Sequence, residues 1–170
     1  ILAESYVDEG VPFYRSSNVG RIFPKESGLA FITPKRHSEE IKTALRRGDI
    51  MLAKTGKEGA SVVLRSDCNV SQDVIAIRPD RTKINPFFLA VFLNTHAGSL
   101  QMQRWFQGQV QLHLSLPDAR QVLVPLPPVM IQTSIEQAVI KAEKALRRAS
   151  SCLQEAETLM EEAIGLTGLE

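Results

Sequence analysis

Hydrophobic and polar positions follow two different patterns along this chain, and the change falls at Leu126-Pro127-Pro128. Before this point, short apolar runs alternate with polar turns that contain glycine, a pattern typical of short strands mixed with short helices. After it, apolar residues recur at alternating steps of four and three, as in a long amphipathic helix. The pattern therefore predicts an α+β fold, with a mixed domain around a small twisted sheet over residues 1–128 and one long helix within residues 129–170.

Local signals place the elements of the first segment. Its apolar runs predict strands over residues 11–19, 50–53, 60–64 and 74–77. Helix-start signals predict helices over residues 38–47, 87–93 and 99–106. The first of these rests on Ser38 followed by two glutamates, and the second on Asn85-Pro86, because asparagine caps a helix and proline suits its first turn.

The long helix has two seam columns of a heptad repeat. The first column is Val139, Leu146, Leu153 and Met160, and the second is Ile135, Ala142, Ala149, Ala156 and Ala163. Thr133 and Glu136 have the spacing of a capping box at its start, and Gly165 and Gly168 are expected to end it.

The alanine column predicts how this helix pairs. Alanine leaves room that the large residues of the other column can fill when the partner runs antiparallel, whereas in a parallel homodimer the alanines would face each other and leave holes. We therefore expect an antiparallel coiled coil, formed by two copies in a homodimer or by a second half in a longer chain. The alternative is a helix that lies on its own domain.

Composition changes this picture little. The chain is 44% hydrophobic, which supports a packed core, and it has no basic-then-apolar leader and no apolar run of membrane-spanning length. A cytoplasmic protein without membrane contact is expected. It begins at Ile1, so either a start was removed or the sequence belongs to a longer chain. Cys68 and Cys152 have no metal-ligand partner at short spacing and are expected to be reduced thiols.

Charge is divided between the two segments. Residues 1–128 carry 16 Lys and Arg against 12 Asp and Glu, whereas residues 129–170 carry 4 against 7. The first segment can therefore face phosphates, and the second has no reason to do so.

The order of these segments resembles the specificity subunit of type I restriction-modification enzymes. The matching segments are Gly10 to Arg15, Ser16 to Asn18, Leu45 to Gly56, Asn69 to Ser71, Ile84 to Asn94, Gly108 to Ser115, and Val124 to Pro128 with Gln132, followed by the heptad helix. Two features depart from the family pattern. Ile131 stands where an acidic residue is usual, and the segment that normally precedes the first strand is missing before Ile1.

The resemblance implies half of such a subunit, with one target-recognition domain and one spacing helix. It implies a non-catalytic protein without a cofactor, which binds double-stranded DNA, holds DNA methyltransferase subunits and can join a restriction or translocase subunit. Two alternatives remain open. In the first, the chain is the recognition tail of a fused methyltransferase-nuclease. In the second, it is a coiled-coil adaptor with no role on DNA.

Candidate DNA contacts are polar and basic residues at the ends of apolar runs, where Arg can bind guanine and Asn or Gln can bind adenine. They are Arg15, Ser17, Asn18, Arg21, Lys35, Arg36, Lys54, Lys57, Gln109, Gln111 and His113. Each has a plainer interpretation as a solvated strand end, loop or hairpin turn. We expect DNA contact from at least one of Arg15 and Asn18.

Catalytic and metal chemistry find no support in the sequence. Asn85-Pro86-Phe87-Phe88 superficially matches the motif with which adenine methyltransferases hold their target, but it lacks the second proline, and no glycine-rich cofactor loop precedes it. The three histidines are too far apart for a local zinc motif. No metal site and no catalytic residue is predicted.

Overall fold

The computed structural model describes residues 5–55, 59–107 and 113–165. Contacts between Cα atoms divide the chain into two units, Ile1–Ile135 and Glu136–Glu170. Within the described residues, the strands of the first unit are β1 (Tyr6–Val7), β2 (Val11–Tyr14), β3 (Ala30–Ile32), β4 (Ala44–Leu45), β5 (Ile50–Ala53), β6 (Ala60–Val62), β7 (Cys68–Val70) and β8 (Val74–Ile77). Mixed sheets followed by a long helix confirm the predicted α+β fold.

The strands form two sheets. One has the order β1-β3-β2-β7-β4, in which β2 and β7 are parallel and the other pairs are antiparallel. The other has the order β6-β5-β8 and is antiparallel throughout. All four residues of β5 are buried, which explains why its sequence is a continuous apolar run rather than an alternating one. The predicted strands at 50–53 and 74–77 are confirmed.

The core between these strands is apolar and includes one cysteine. Its buried cluster consists of Tyr14, Val19, Leu45, Met51, Ala53, Val63, Cys68, Val70 and Val74. Burial, with a smaller contribution from the nearby carboxylate of Asp49, raises the pKa of the Cys68 thiol to about 12. Cys68 is therefore a protonated, packed side chain at neutral pH.

The helices are α1 (Pro34–Glu39), α2 (Pro86–Asn94), α3 (His96–Gln103), α4 (Leu116–Ala119) and α5 (Val129–Ala163). The predicted start of α2 is confirmed, because Asn85 Oδ1 accepts hydrogen bonds from the backbone N–H groups of Phe87 and Phe88. Asn85 is thus a helix cap. The helix predicted over residues 99–106 instead begins at His96, where Thr95 caps it.

The helix predicted over residues 38–47 is wrong. Thr33 caps α1 by accepting from Arg36 N, and Pro34 occupies its first position, so the true start lies before Ser38. Ser38 donates to the carbonyl of Lys35 inside the helix instead of capping. Ala44–Leu45 then pairs with β7, because tertiary pairing outweighs local helix propensity there.

Two further boundaries differ from the predictions. The strand that begins at Val11 ends at Tyr14, and Ser16–Asn18 forms a 3-10 turn, because the Asn18 side chain accepts from Arg15 N and tightens the chain. The long helix begins at Val129, so Thr133 lies within it and the predicted capping box is wrong. Its end is as predicted at Gly165, which has φ +74°. Gly168 lies outside the described residues.

Gln132 fixes the first turns of α5 within the first unit. Its Oε1 accepts from Asn85 N at 2.8 Å, and its Nε2 donates to the carbonyl of Pro127 at 2.9 Å. The side chain is buried, and both ends of its amide therefore satisfy backbone groups. The second unit consists of the rest of α5. Among the described residues, no helix has the length and apolar character needed to cross a membrane.

Candidate nucleic-acid interface

One edge of the first unit gathers the ends of several strands. Tyr14 of β2 and Val70 of β7 are neighbours in a parallel pair, and Ser71 N donates to the carbonyl of Tyr14 at 2.9 Å. Lys54, just after β5, donates its N–H to the carbonyl of Asp73 at 3.0 Å. The residues that follow β2, β5 and β7 therefore lie side by side. We call this region the polar edge, comprising residues 15–18, 54–55, 71–73 and 113.

The last segment of the domain joins the polar edge through His113. Thr55 pairs with His113 in an antiparallel bridge, and Leu114 N donates to the carbonyl of Lys54 at 2.8 Å. Gln107 pairs with His113 in the same way, and the His113 side chain is exposed. The predicted contacts Lys57, Gln109 and Gln111 lie outside the described residues.

A shallow cleft of about 280 Å³ opens at the polar edge. It is lined by Tyr6, Arg15, Ser16, Ser17, Ser71, Gln72 and Asp73. Arg15 Nη2 donates to the carbonyl of Gly28 at 2.7 Å, which orients the guanidinium. Among the described residues, Arg15 Nε and Ser71 Oγ find no hydrogen-bond partner. Buried polar groups usually have one, so these two atoms lack the bonds that such groups normally make.

The lining of the cleft includes residues that the sequence did not single out. Ser71 belongs to a matching segment but carried no functional signal, because serine is ordinary in turns. Gln72 and Asp73 were not predicted either. Only the pairing of β2 with β7 brings them next to Arg15, and no local pattern reveals that pairing.

Lys54 links the turns of the polar edge to each other. Its ammonium group donates to the carbonyl of Gln72, and its backbone bonds both Asp73 and Leu114. The residue is partly exposed. Its charge is thus held at the junction of the segments that carry Gln72 and His113.

Asn18 is committed to the fold. It is 1% exposed, its Oδ1 accepts from Arg15 N at 3.0 Å, and its Nδ2 donates to the carbonyls of Lys25 and Ser27. Every polar group of its amide has a backbone partner. The geometry therefore favours a structural role for Asn18, which shapes the loop that presents Arg15, over contact with a base.

Arg21 lies beside the connection between β5 and β6. Its side chain is exposed, and its Nη2 donates to the carbonyl of Asn94 at 3.0 Å. Asn94 also bonds the backbone of Ala60, and a β-carbon on Gly59 would lie 1.9 Å from Asn94 Oδ1. Glycine is therefore required at position 59, where the chain passes close to the end of α2.

Lys35 and Arg36 lie on α1, next to a second cleft of about 370 Å³ that shares Tyr6 with the first. Lys35 is exposed. Arg36 forms ion pairs with Glu39 at 3.2 Å and Glu40 at 2.9 Å. Those carboxylates offset its charge, so Lys35 is the better of the two for attracting an anion.

Behind the polar edge, three side chains brace the end of β2. Tyr14 Oη donates to Glu26 at 3.0 Å and accepts from Arg65 Nε at 3.1 Å, while Arg65 Nη2 contacts Glu26 at 2.5 Å. Burial, reinforced by the Glu26 charge, raises the pKa of Tyr14. The phenol therefore stays neutral, and the cluster holds the strand from which Arg15 projects.

The seam residues are placed on α5 as predicted, and several of them are exposed. Ile135 is half-buried and Val139 buried, whereas Ala142, Leu146, Ala149, Leu153, Ala156, Met160 and Ala163 are exposed. Leu146, Leu153 and Met160 are 55%, 67% and 62% exposed. Within the described residues of the second unit, these apolar side chains form a stripe without packing partners.

Fold and polar edge together define an α+β domain with a long helical extension and an open polar surface. Among the described residues, no group of His, Cys, Asp and Glu is arranged to hold a metal ion. No family model and no curated protein sequence matches the chain.

Solved structures show which fold this is. A chain from a structure on complex assembly and conformational transition of the type I R-M system matches 96% of this chain at 22% identity, with a TM-score of 0.59. The HsdS subunit from Thermoanaerobacter tengcongensis matches 88% at 20% identity, with a TM-score of 0.52. The chain therefore has the HsdS-like fold that its sequence resemblance implied. It spans 40% and 35% of the length of those two chains.

Proposed function

We propose that this chain recognises a specific sequence of double-stranded DNA within a type I restriction-modification system. The observation that carries the proposal is the polar edge, where strand pairing brings Arg15, Lys54 and His113 together on an HsdS-like fold. Cations and hydrogen-bond donors at one open surface are what a DNA-binding protein requires.

Residues of the polar edge, and the basic residues Arg21 and Lys35 outside it, have different roles in this mechanism. Lys54, Arg21 and Lys35 attract phosphates and position the domain, while Arg15 and the residues around His113 contact base edges in the major groove. Ser16 and Ser17 can donate to phosphate or sugar oxygens. We extend the same roles to Lys57 for phosphates and to Gln109 and Gln111 for bases.

The partners follow from the same proposal. The chain itself is non-catalytic and requires no cofactor, and it holds methyltransferase subunits on the target, with a restriction or translocase subunit as a further partner. It acts in the cytoplasm, where the DNA and those subunits are. Helix α5 pairs antiparallel with the same helix of a second copy, in a homodimer, and sets the distance between two half-sites.

Binding to duplex DNA at several salt concentrations tests this function. Phosphate contacts release counterions, so affinity should fall steeply between roughly 50 and 200 mM salt. A matched variant, Lys54→Gln, should bind more weakly and depend less on salt. Binding that ignores salt, or no binding at about 50 mM, would instead support a helical adaptor without a role on DNA.

A further inference from the structure

Asp73 is an acidic residue within a surface that otherwise suits DNA. It follows β7 at the polar edge and lines the same cleft as Arg15. Its side chain is exposed, and among the described residues its carboxylate accepts no hydrogen bond and forms no ion pair. Phosphates repel a carboxylate at a DNA-facing surface, so Asp73 lowers affinity for DNA in general. Such a group contributes to recognition where it accepts a hydrogen bond from the amino group of a base.

The turn after β7 fixes the place of this carboxylate. Val74 N donates to the carbonyl of Ser71 at 3.1 Å, so Gln72 and Asp73 occupy the two central positions of a β-turn. The carbonyl of Asp73 accepts from Lys54 N at 3.0 Å, and the carbonyl of Gln72 accepts from the Lys54 ammonium group. Lys54 therefore holds the backbone of the turn, and the Asp73 carboxylate remains available to a ligand.

Arg15 presents the complementary chemistry at the end of the neighbouring strand. Its Nη2 donates one N–H to the carbonyl of Gly28 at 2.7 Å, which leaves the other N–H of Nη2 and those of Nη1 without a partner among the described residues. Although Arg15 and Asp73 line one cleft, the described part of the chain contains no ion pair between them. Their strands, β2 and β7, are parallel neighbours, and such strands lie about 4.8 Å apart. Side chains that follow the two strands can therefore reach the two bases of one pair.

We propose that Arg15 and Asp73 together recognise one G·C pair in the major groove, and that Asp73 determines specificity by accepting from the cytosine N4 amino group. This inference rests on the proposed function and adds to it the identity of one base pair. Guanine offers N7 and O6 as adjacent acceptors to the guanidinium fork, and the amino group of the paired cytosine lies beside O6. An A·T pair places its amino group between two acceptors, so it offers the fork no adjacent pair of acceptors.

Asp73→Asn should have two effects of opposite sign. Preference for G·C at one position should fall about tenfold, because an amide can donate to a base as well as accept from it. Affinity for random duplex DNA should rise, because the substitution removes a negative charge that faces phosphates. Thermal unfolding should be unchanged, since the carboxylate makes no bond within the described residues. Selection of sites from random duplex DNA and direct binding measurements report the first two effects.

Asp67→Asn is the matched control. Asp67 is an exposed acid directly before β7, so this variant loses the same charge at the opposite end of the same strand. It should select the parental motif. Arg15→Ala, selected in parallel, should relax the same base pair as Asp73→Asn, because the two side chains contact the two bases of that pair.

N4-methylcytosine tests the hydrogen bond itself. In the duplex that the parent selects, this base replaces the cytosine of the relaxed pair and puts a methyl group where the amino group faces the major groove. The parent should bind this duplex about tenfold more weakly, because Asp73 loses its donor. Asp73→Asn should lose less affinity than the parent does. An equal loss in both proteins would contradict the contact.

The remaining outcomes separate this inference from the proposed function. A parental motif whose G·C preferences persist in Asp73→Asn overturns this inference alone. So does a motif in which Asp73→Asn and Arg15→Ala relax different pairs, or an Asp73→Asn variant that binds random DNA more weakly than the parent. A pool that stays random with the parent overturns the proposed function, and this inference with it.

Discussion

Individual side chains at the polar edge divide into those that build the surface and those that the surface presents. Arg15 and Asn18 lie on the same turn, separated by Ser16 and Ser17. Asn18 is buried and every polar group of its amide is hydrogen-bonded, whereas Arg15 is partly exposed at a cleft. Sequence alone gave both residues the same expectation, because Arg and Asn are equally good base-contacting types. Only burial separates the two roles.

Asn18→Ala should destabilise the domain. The substitution leaves Arg15 N and the carbonyls of Lys25 and Ser27 without their partner, at a cost of about 1–3 kcal/mol each where water cannot replace it. Urea unfolding measures this cost. Ser17→Ala, an exposed change on the same turn, serves as the control and should leave stability nearly unchanged.

Arg15→Ala should relax preference at one base position. A bidentate contact to guanine contributes about 1–3 kcal/mol of discrimination, so selected sequences should lose information at that position and keep it elsewhere. Lys54→Ala provides the comparison, because loss of a phosphate contact should weaken all sequences alike. If both variants select the parental motif unchanged, Arg15 is not a base contact.

At the scale of elements, the sequence predicted helices and strands correctly where a local cap or a fully apolar run determines the structure. Asn85-Pro86 gave the start of α2, and the apolar run 50–53 gave β5, because neither depends on distant contacts. The helix predicted over residues 38–47 is wrong because Ala44–Leu45 pairs with β7 as a strand. The sequence did not predict the cleft either, since residues 71–73 lie next to Arg15 only because β2 and β7 pair in parallel.

At the start of α5, Gln132 is the residue whose substitution should most reduce stability. Gln132→Leu removes the hydrogen bonds from Asn85 N and to the carbonyl of Pro127, and it should lower the free energy of unfolding by about 1–3 kcal/mol. Gln137→Leu is the same chemical change at an exposed position of α5. A thermal unfolding curve for Gln132→Leu that matches the Gln137→Leu curve would show that these hydrogen bonds contribute little.

Two substitutions on the apolar stripe test close helix pairing. Ala149→Leu should overpack the seam, at about 1–3 kcal/mol per site, and Leu153→Glu should place a charge there and favour monomers. Sedimentation of both variants beside the parent measures the dissociation constant of the pair. Ser151→Glu, on the outer face of the helix, should change it little. A dimer that tolerates Leu153→Glu unchanged would exclude this stripe as its interface.

The whole molecule combines a basic domain with an acidic end of the helix, and its proposed two-fold pairing has a consequence for the DNA. A two-fold axis relates the two polar edges of a dimer, so both must recognise the same bases on opposite strands. The target should therefore be an interrupted palindrome, with a spacer of fixed length set by the paired helices.

Selection of binding sites from random duplex DNA by the parent protein, at about 50 mM salt, tests the central claim of sequence-specific recognition most directly. We expect enrichment of one motif with two arms that are reverse complements, separated by a spacer of constant length and undefined sequence. The same selection with the methyltransferase subunit present should give the same arms. A pool that stays random in both selections would contradict DNA recognition by this chain.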